Sequence, residues 1–131
     1  MFDISNKIIL LTGGNGFLGY HFSKHLLKAN CKLIVIDKTH QNSKLINLKK
    51  KYPKKFFFYE IDISNLKNLQ KNINTIVKEH KKIEILINAA SHKLIHNINH
   101  EKNYFEKFEK YNFDLWEKTF NTNLTGTMLL T

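Results

Sequence analysis

The residues whose types and spacing are best suited to chemistry form a glycine turn, Thr12-Gly13-Gly14-Asn15-Gly16-Phe17-Leu18-Gly19. It lies between an apolar run ending at Thr12 and a segment with helical spacing. Glycines at 13, 16 and 19 let a backbone turn sharply, approach a pyrophosphate closely and pack a helix on a strand, while N–H groups at the helix start face the negative charge. Gly13, Asn15, Gly16, Phe17, Leu18 and Gly19 are therefore the expected cradle for a dinucleotide. Asp37 ends the next apolar run. A carboxylate there accepts both ribose hydroxyls of NAD and repels the 2′-phosphate of NADP, a preference that Lys38 beside it softens. Asp62 and Ile63, past the third run, are expected at the adenine edge, although Asp62 also reads as an ordinary strand-end or helix-start acid. Asn88-Ala89-Ala90 closes a fourth run, and small residues there let a nicotinamide ribose reach the backbone.

Three other constellations carry less. Tyr20 and Lys24 match Tyr-x-x-x-Lys but fall in the first helix, on the wrong side of the fold for a dinucleotide, and read as coincidence. His92, His96 and His100 recur every four residues, a spacing that stacks imidazoles on one helical face as metal ligands do. Only Glu101 stands near to complete a set, and the segment is poorly periodic, so solvated loop histidines are expected and no metal. His21 and His25 share the spacing on the outer part of the first helix.

The elements that must position these residues alternate. Apolar runs at Lys7–Thr12, Lys32–Asp37, Phe56–Ile61 and Ile83–Asn88 read as strands covered on both faces. Between them, residues 16 to 29 place Phe22 and Leu26 at helical spacing, and residues 42 to 51 do so with Leu45 and Leu48. Residues 64 to 80 carry a one-sided stripe of Leu66, Leu69, Ile73, Ile76 and Val77, with Ser64 as the expected N-cap. Leu115 to Leu130 sets Trp116, Phe120, Leu124 and Met128 at steps of four. All these stripes are expected to be core. Strand-helix alternation predicts a doubly wound, Rossmann-type α/β sheet, with strand order 3-2-1-4 dictated by right-handed crossovers. The least periodic segment, residues 91 to 112, follows the fourth strand, at the edge where ligands bind in such folds.

Together, Thr12 to Gly19, Asp37, Asp62, Asn88-Ala89-Ala90 and Asn123-Leu124-Thr125-Gly126 resemble the short-chain dehydrogenase/reductase (SDR) family, in its order and at its spacings, over nearly the whole chain. Trp116 and Asn123 are similar to the family's fifth long helix, whose asparagine belongs to the catalytic tetrad. The resemblance implies that Asn123 is catalytic, holding a local distortion of the helix and a water in the proton relay. The spacing alone leaves open a helix-interior polar residue satisfied by backbone. The Gly13, Gly16, Gly19 spacing is closer to the extended branch, the nucleotide-sugar epimerases and dehydratases. Classical members place the middle glycine where this chain has Phe17, and begin the fourth-strand motif with an additional Asn where it has Ile87. Asn88-Ala89-Ala90 and the helix from Trp116 to Gly126 look classical, so a divergent classical member is expected.

The family's chemistry uses a Ser on the fifth strand and a later Tyr-x-x-x-Lys helix, the Tyr passing a proton to or from the substrate oxygen. The sequence reaches Thr131 before either. Residues 1–131 are thus expected to be the NAD(P)-binding, amino-terminal half of an oxidoreductase acting on a carbonyl or secondary alcohol, a fragment inactive alone. Residues 108 to 130 resemble members acting in bacterial surface-polysaccharide modification, which suggests a sugar derivative as the small-molecule substrate. The alternatives are a dinucleotide-binding module without catalysis and an extended-type epimerase or dehydratase. The resemblance also implies a homo-oligomeric full-length protein in which the Trp116 and Phe120 helix packs on a partner subunit; with the fourth strand, Ile83–Asn88, also left without the fifth strand that should pair with it, the isolated chain is expected to be marginally stable and to self-associate.

Composition sets bounds on this. With 131 residues, one domain is expected. The net charge of +10 invites nucleic acid as a partner. However, all 21 basic residues are lysine and lie along the whole chain, so the guanidinium fork that reads guanine or clamps phosphate is missing. Lys49-Lys50-Lys51 with Lys54 and Lys55 is expected to be a solvated helix end, and no nucleic-acid partner is expected. No apolar stretch approaches the roughly 18 to 20 residues of a membrane span. A soluble, leaderless cytoplasmic protein without a membrane partner is expected, and the single cysteine, Cys31, suits a reducing compartment.

Overall fold

Each of the four apolar runs becomes a strand in the computed structural model, which describes residues 3–92 and 107–131. β1 (Ile8–Thr12), β2 (Lys32–Asp37), β3 (Phe56–Glu60) and β4 (Ile85–Ile87) form one parallel sheet in the order β3-β2-β1-β4. The register sets Leu10 beside Ile34 and Leu86, and Ile34 beside Phe57. Strand side chains alternate between faces, so Ile9, Leu11, Leu33 and Val35 enter one apolar layer while Leu10, Ile34 and Ile36 enter the other. Covering both faces is why these strands read as unbroken apolar runs. Each fully buried Leu or Ile contributes roughly 1.5–3 kcal/mol by leaving water.

Helices supply the covers. α1 (Phe17–Lys28) and α2 (Ser43–Lys51) close the first layer with Leu27, Leu45 and Leu48. α3 (Leu66–His80) closes the second with Leu69 and Ile76. Asn42 caps α2, its Oδ1 accepting the Leu45 N–H at 3.0 Å. A last helical run consists of α4 (Phe113–Phe120), a π-helical turn (Asn121–Gly126) and α5 (Thr127–Leu130). It starts two residues before the expected Leu115 because Asn112 caps it, accepting the Leu115 N–H at 3.0 Å. Among the described residues, no helix is long and apolar enough to cross a membrane.

Several expected details change. Phe22 is exposed, and the buried line of α1 is Gly19, Ser23 and Leu27. That small face lets the helix close on the sheet, with the Ser23 hydroxyl satisfied by donating to the Gly19 carbonyl at 2.8 Å. Ser64 does not cap α3: its N–H and hydroxyl both donate to Asp62 Oδ1, at 2.9 and 2.7 Å, and the helix starts after Asn65. Val77 also faces solvent. β4 spans three residues rather than six, because it is paired only where Ile9, Leu10 and Leu11 of β1 reach it. Glu84, just before it, ties it to β1: its carboxylate accepts the Ile8 N–H at 3.1 Å and lies 3.0 Å from Lys7 Nζ and 3.2 Å from Lys82 Nζ. The backbone donor and then the lysines hold the Glu84 carboxyl down at about 2. Finally, Trp116, Phe120, Leu124 and Met128 are exposed rather than core. Periodicity marks a shared face and not what that face meets.

Candidate functional site

The carboxyl end of β1 is fixed first. The Thr12 side chain is buried, and its Oγ1 accepts the Ala89 N–H at 3.0 Å and the Ala90 N–H at 2.9 Å, joining β1 to the segment after β4. Gly13 then turns the chain with φ 72°, where a residue with a Cβ pays roughly 1–2 kcal/mol. A Cβ there would also stand 2.7 Å from Ala90 Cα, and one on Gly19 would stand 2.1 Å from the Gly13 carbonyl oxygen. The fold itself demands these two glycines. Gly16 is different. It is exposed, its φ is −70°, and the nearest atom to an added Cβ is 3.2 Å away. Gly16 begins α1 with no side chain capping it and no acid in the first turn, so the partial positive charge of the helix start is left uncompensated.

This helix start opens on a cleft of about 240 Å³ across the carboxyl ends of the strands. Gly13, Gly16, Phe17, Leu18 and Gly19 form one wall, with Phe17 and Leu18 presenting exposed apolar side chains. Asp37 and Lys38 line it after β2, and Asp62 and Ile63 after β3. Ala89, Ala90 and Ser91 line it after β4, with Thr122 from the π turn beside them. The glycine turn, Asp37, Asp62-Ile63 and Ala89-Ala90 thus converge on one space.

Both acids are already engaged. Asp37 Oδ2 accepts the Asn15 N–H at 2.9 Å, and Oδ1 accepts the Thr39 N–H at 3.1 Å and the Thr39 hydroxyl at 2.9 Å. A carboxylate offers about four lone-pair sites, so Asp37 has one left, on Oδ2. It can take one ribose hydroxyl in this arrangement, where the sequence suggested two. Asp62 Oδ1 holds Ser64, the helix-start arrangement, while its side chain still borders the cleft.

Three expected site residues lie off the lining. Asn15 turns its amide away, toward residues 39–42. Asn88 is exposed at the end of β4. Asn123 sits within the π turn, and its Oδ1 accepts the His92 N–H at 2.7 Å, tying the helical run to the segment after β4. Burial, then Lys38 and Lys118, hold the His92 imidazole below its usual value, with Asp62 opposing. His96, His100 and Glu101 lie outside the described residues. Tyr20 packs against the α1–α2 layer with Lys44 Nζ 5.4 Å from its ring centroid, and does not line the cleft. Sequence reasoning missed Thr12 as a tie and Ser91 and Thr122 as lining. For Thr12 the signal was present, since a hydroxyl ending a fully buried strand needs partners.

Comparison with known proteins agrees with this architecture. Residues 7–131 match the family model for short chain dehydrogenase. The chain is 27% identical over 128 residues to a short chain dehydrogenase/reductase of Gibberella zeae, covering 98% of this chain and 44% of that protein. It is 25% identical over 132 residues to an NAD-dependent glycerol dehydrogenase of Listeria innocua, covering 98% and 46%. The structure of a 4-hydroxyisoleucine dehydrogenase complexed with NADH superposes with a TM-score of 0.72 at 28% identity, over 95% of this chain and 46% of that one. The chain spans less than half the length of the curated relatives it matches. With a parallel 3-2-1-4 sheet, a glycine turn opening on the cleft at its carboxyl edge, and a family match from Lys7 to the last residue, the chain belongs to the short-chain dehydrogenase family.

Proposed function

We propose that residues 1–131 form the NAD(P)-binding Rossmann domain of a dehydrogenase that transfers hydride between NAD and a small alcohol or carbonyl compound. One observation carries this reading: an uncapped helix start and a carboxylate, Asp37, face the same cleft. Gly16 supports the fit, because it lines the cleft, and an added Cβ there would meet only the Gly13 carbonyl oxygen, at a tight 3.2 Å, whereas one on Gly19 meets backbone at 2.1 Å.

In this reading the N–H groups of Phe17, Leu18 and Gly19 hold the pyrophosphate. Asp37 receives an adenosine ribose hydroxyl through its open Oδ2 site and disfavours a 2′-phosphate. Asp62 and Ile63 border the adenine, and Ala89 and Ala90 let the nicotinamide ribose lie against the backbone. Asn123 keeps the π turn against the segment after β4. The nicotinamide, when bound, supplies or accepts the hydride. No tyrosine lines the described cleft, so the chain alone is expected to bind without turnover. The NAD dependence and bound NADH named for two similar proteins favour this cofactor. The exposed stripe on α4 and α5 supports a homo-oligomer, and the buried, unpaired Cys31 supports a cytoplasmic location.

Titration of the purified protein with NAD and NADP tests the proposal. NAD is expected to bind more tightly, and Asp37→Ala to narrow the difference. Binding of neither dinucleotide by folded protein would overturn the reading.

A further inference from the structure

The amide of Asn15 is turned away from the cleft, and the two hydrogens of its Nδ2 are shared among three acceptors of the β2–α2 connection. Nδ2 reaches the Thr39 hydroxyl at 2.8 Å, the His40 carbonyl at 3.0 Å and the Thr39 carbonyl at 3.1 Å. Oδ1 accepts the Asn42 N–H at 3.1 Å, which fixes which end of the amide is oxygen. The Asn15 carbonyl in turn accepts from Asn42 Nδ2 at 3.3 Å, and Asn42 Oδ1 caps α2. One residue at the apex of the glycine turn therefore holds Thr39, His40 and Asn42 of the β2–α2 connection.

These bonds also have a direction. The Thr39 oxygen accepts from Asn15 Nδ2, so its single hydrogen is free to point at Asp37 Oδ1, 2.9 Å away. The Asn15 N–H holds the other carboxylate oxygen. Asp37 is thereby clamped from two sides by one residue, directly through its backbone and indirectly through Thr39. The loop so held, residues 38 to 42, follows the acid that would meet the 2′ position of a bound dinucleotide.

We propose that Asn15 is a positioning residue that sets the NAD-over-NADP preference, by holding Thr39 and residues 40–42 so that Asp37 keeps its orientation and the loop cannot withdraw to admit a 2′-phosphate. The inference rests on the dinucleotide reading of the cleft. It assigns to Asn15 a selection the sequence gives to Asp37 alone.

Binding of NAD and NADP to wild type, Asn15→Ala, Asp37→Ala and the double variant tests it, with folding checked by circular dichroism. In Asn15→Ala the ratio of NADP to NAD dissociation constants is expected to fall about tenfold, the scale of one or two lost hydrogen bonds. In the Asp37→Ala background the same change is expected to leave the ratio unmoved, because Asn15 acts through Asp37. A general loosening would instead weaken both dinucleotides equally. Thr39→Val, which keeps the side-chain shape and removes the relay, is expected to shift the ratio in the same direction and carries the test if Asn15→Ala does not fold. Wild type preferring NAD with an unchanged ratio in the Asn15 and Thr39 variants would overturn this inference alone. Folded wild type that binds neither dinucleotide would overturn the reading beneath it as well.

Discussion

Thr12 Oγ1 accepts the Ala90 N–H at 2.9 Å, and the Ala89 N–H reaches the same oxygen at 3.0 Å, so β1 and the chain leaving β4 end on one hydroxyl. Thr12→Val keeps the shape and strands both N–H groups. We expect a loss of about 1–3 kcal/mol in urea denaturation, with Thr12→Ser close to wild type. Equal stability of the Val and Thr proteins would show that the tie contributes nothing.

Gly16 and Gly19 separate binding from folding. Gly16→Ala puts Ala at the N-cap and a Cβ 3.2 Å from the Gly13 carbonyl oxygen, a tight contact that a small backbone shift relieves, so stability should fall by about 1–2 kcal/mol. NAD affinity should nevertheless fall about tenfold or more, because the methyl enters the cradle. Gly19→Ala meets backbone at 2.1 Å and should lose about 3 kcal/mol or fail to fold. Unchanged NAD affinity in folded Gly16→Ala would mean that the helix start is not the anion site.

Acid should weaken the fold through His80. This residue is 5% exposed, its Nε2 lies 2.8 Å from the Tyr59 hydroxyl oxygen, and its Nδ1 is buried without a partner among the described residues. Tyr59 has one hydrogen and gives it to Glu79, so His80 Nε2 donates and Nδ1 is the bare acceptor. Burial, then Lys32, hold His80 below 6.5, with Glu79 opposing; burial and Glu79 push the Tyr59 hydroxyl up to about 12. A depressed folded-state value means the unfolded chain takes up the proton first. The His80 contribution is therefore complete above about 6.5 and is lost as pH falls through the folded-state value. Urea midpoints at about pH 7.5 and about pH 5.5 should differ in wild type and differ less in His80→Gln, which does not titrate. The same pH difference in both proteins would assign the effect elsewhere.

Association should run through the last helical run. Trp116 and Phe120 stack with centroids 4.4 Å apart, yet remain 45% and 39% exposed. Contiguous apolar surface of this kind marks interaction sites or aggregation. Sedimentation at moderate salt is expected to show dimers or larger species that shift toward monomer in Phe120→Glu. A long-lived wild-type monomer with a cooperative thermal transition would contradict this.

The strands were readable because Ile9 to Leu11 and Leu33 to Ile36 are apolar on both faces, and burial on both faces has no other simple explanation in so short a run. The glycine turn was readable because steric demand at Gly13 and Gly19 is local to the backbone. Asn112 went unrecognised as a cap and Ser64 was misassigned as one, because neighbouring side chains compete for the same N–H groups and Asp62 prevails over α3 for Ser64. Asn15 offered no signal of its bracket role. Its partners, Thr39 to Asn42, form no periodic pattern, and only the folded turn brings them within reach. A local distortion of the helix at Asn123 was expected from the family resemblance alone, and its π-helical form was not legible, since the apolar residues keep their steps of four across it.

That intact pattern has a geometric origin. Four residues of a regular α-helix turn through about 400°, so side chains every fourth position precess by about 40° per step. Trp116, Phe120, Leu124 and Met128 hold that spacing through three steps, which would carry them about a third of the way around an unbroken helix. The wider turn at Asn121–Gly126 occupies the middle step and rotates less per residue, which brings Leu124 back toward the meridian of Phe120. The bulge thus offsets part of the precession that an unbroken helix would give these four positions. The same bulge carries Asn123 to His92. Deleting one residue between 121 and 126 is consequently expected to displace the Asn123 contact and to turn Met128 out of line with Trp116 in a single step.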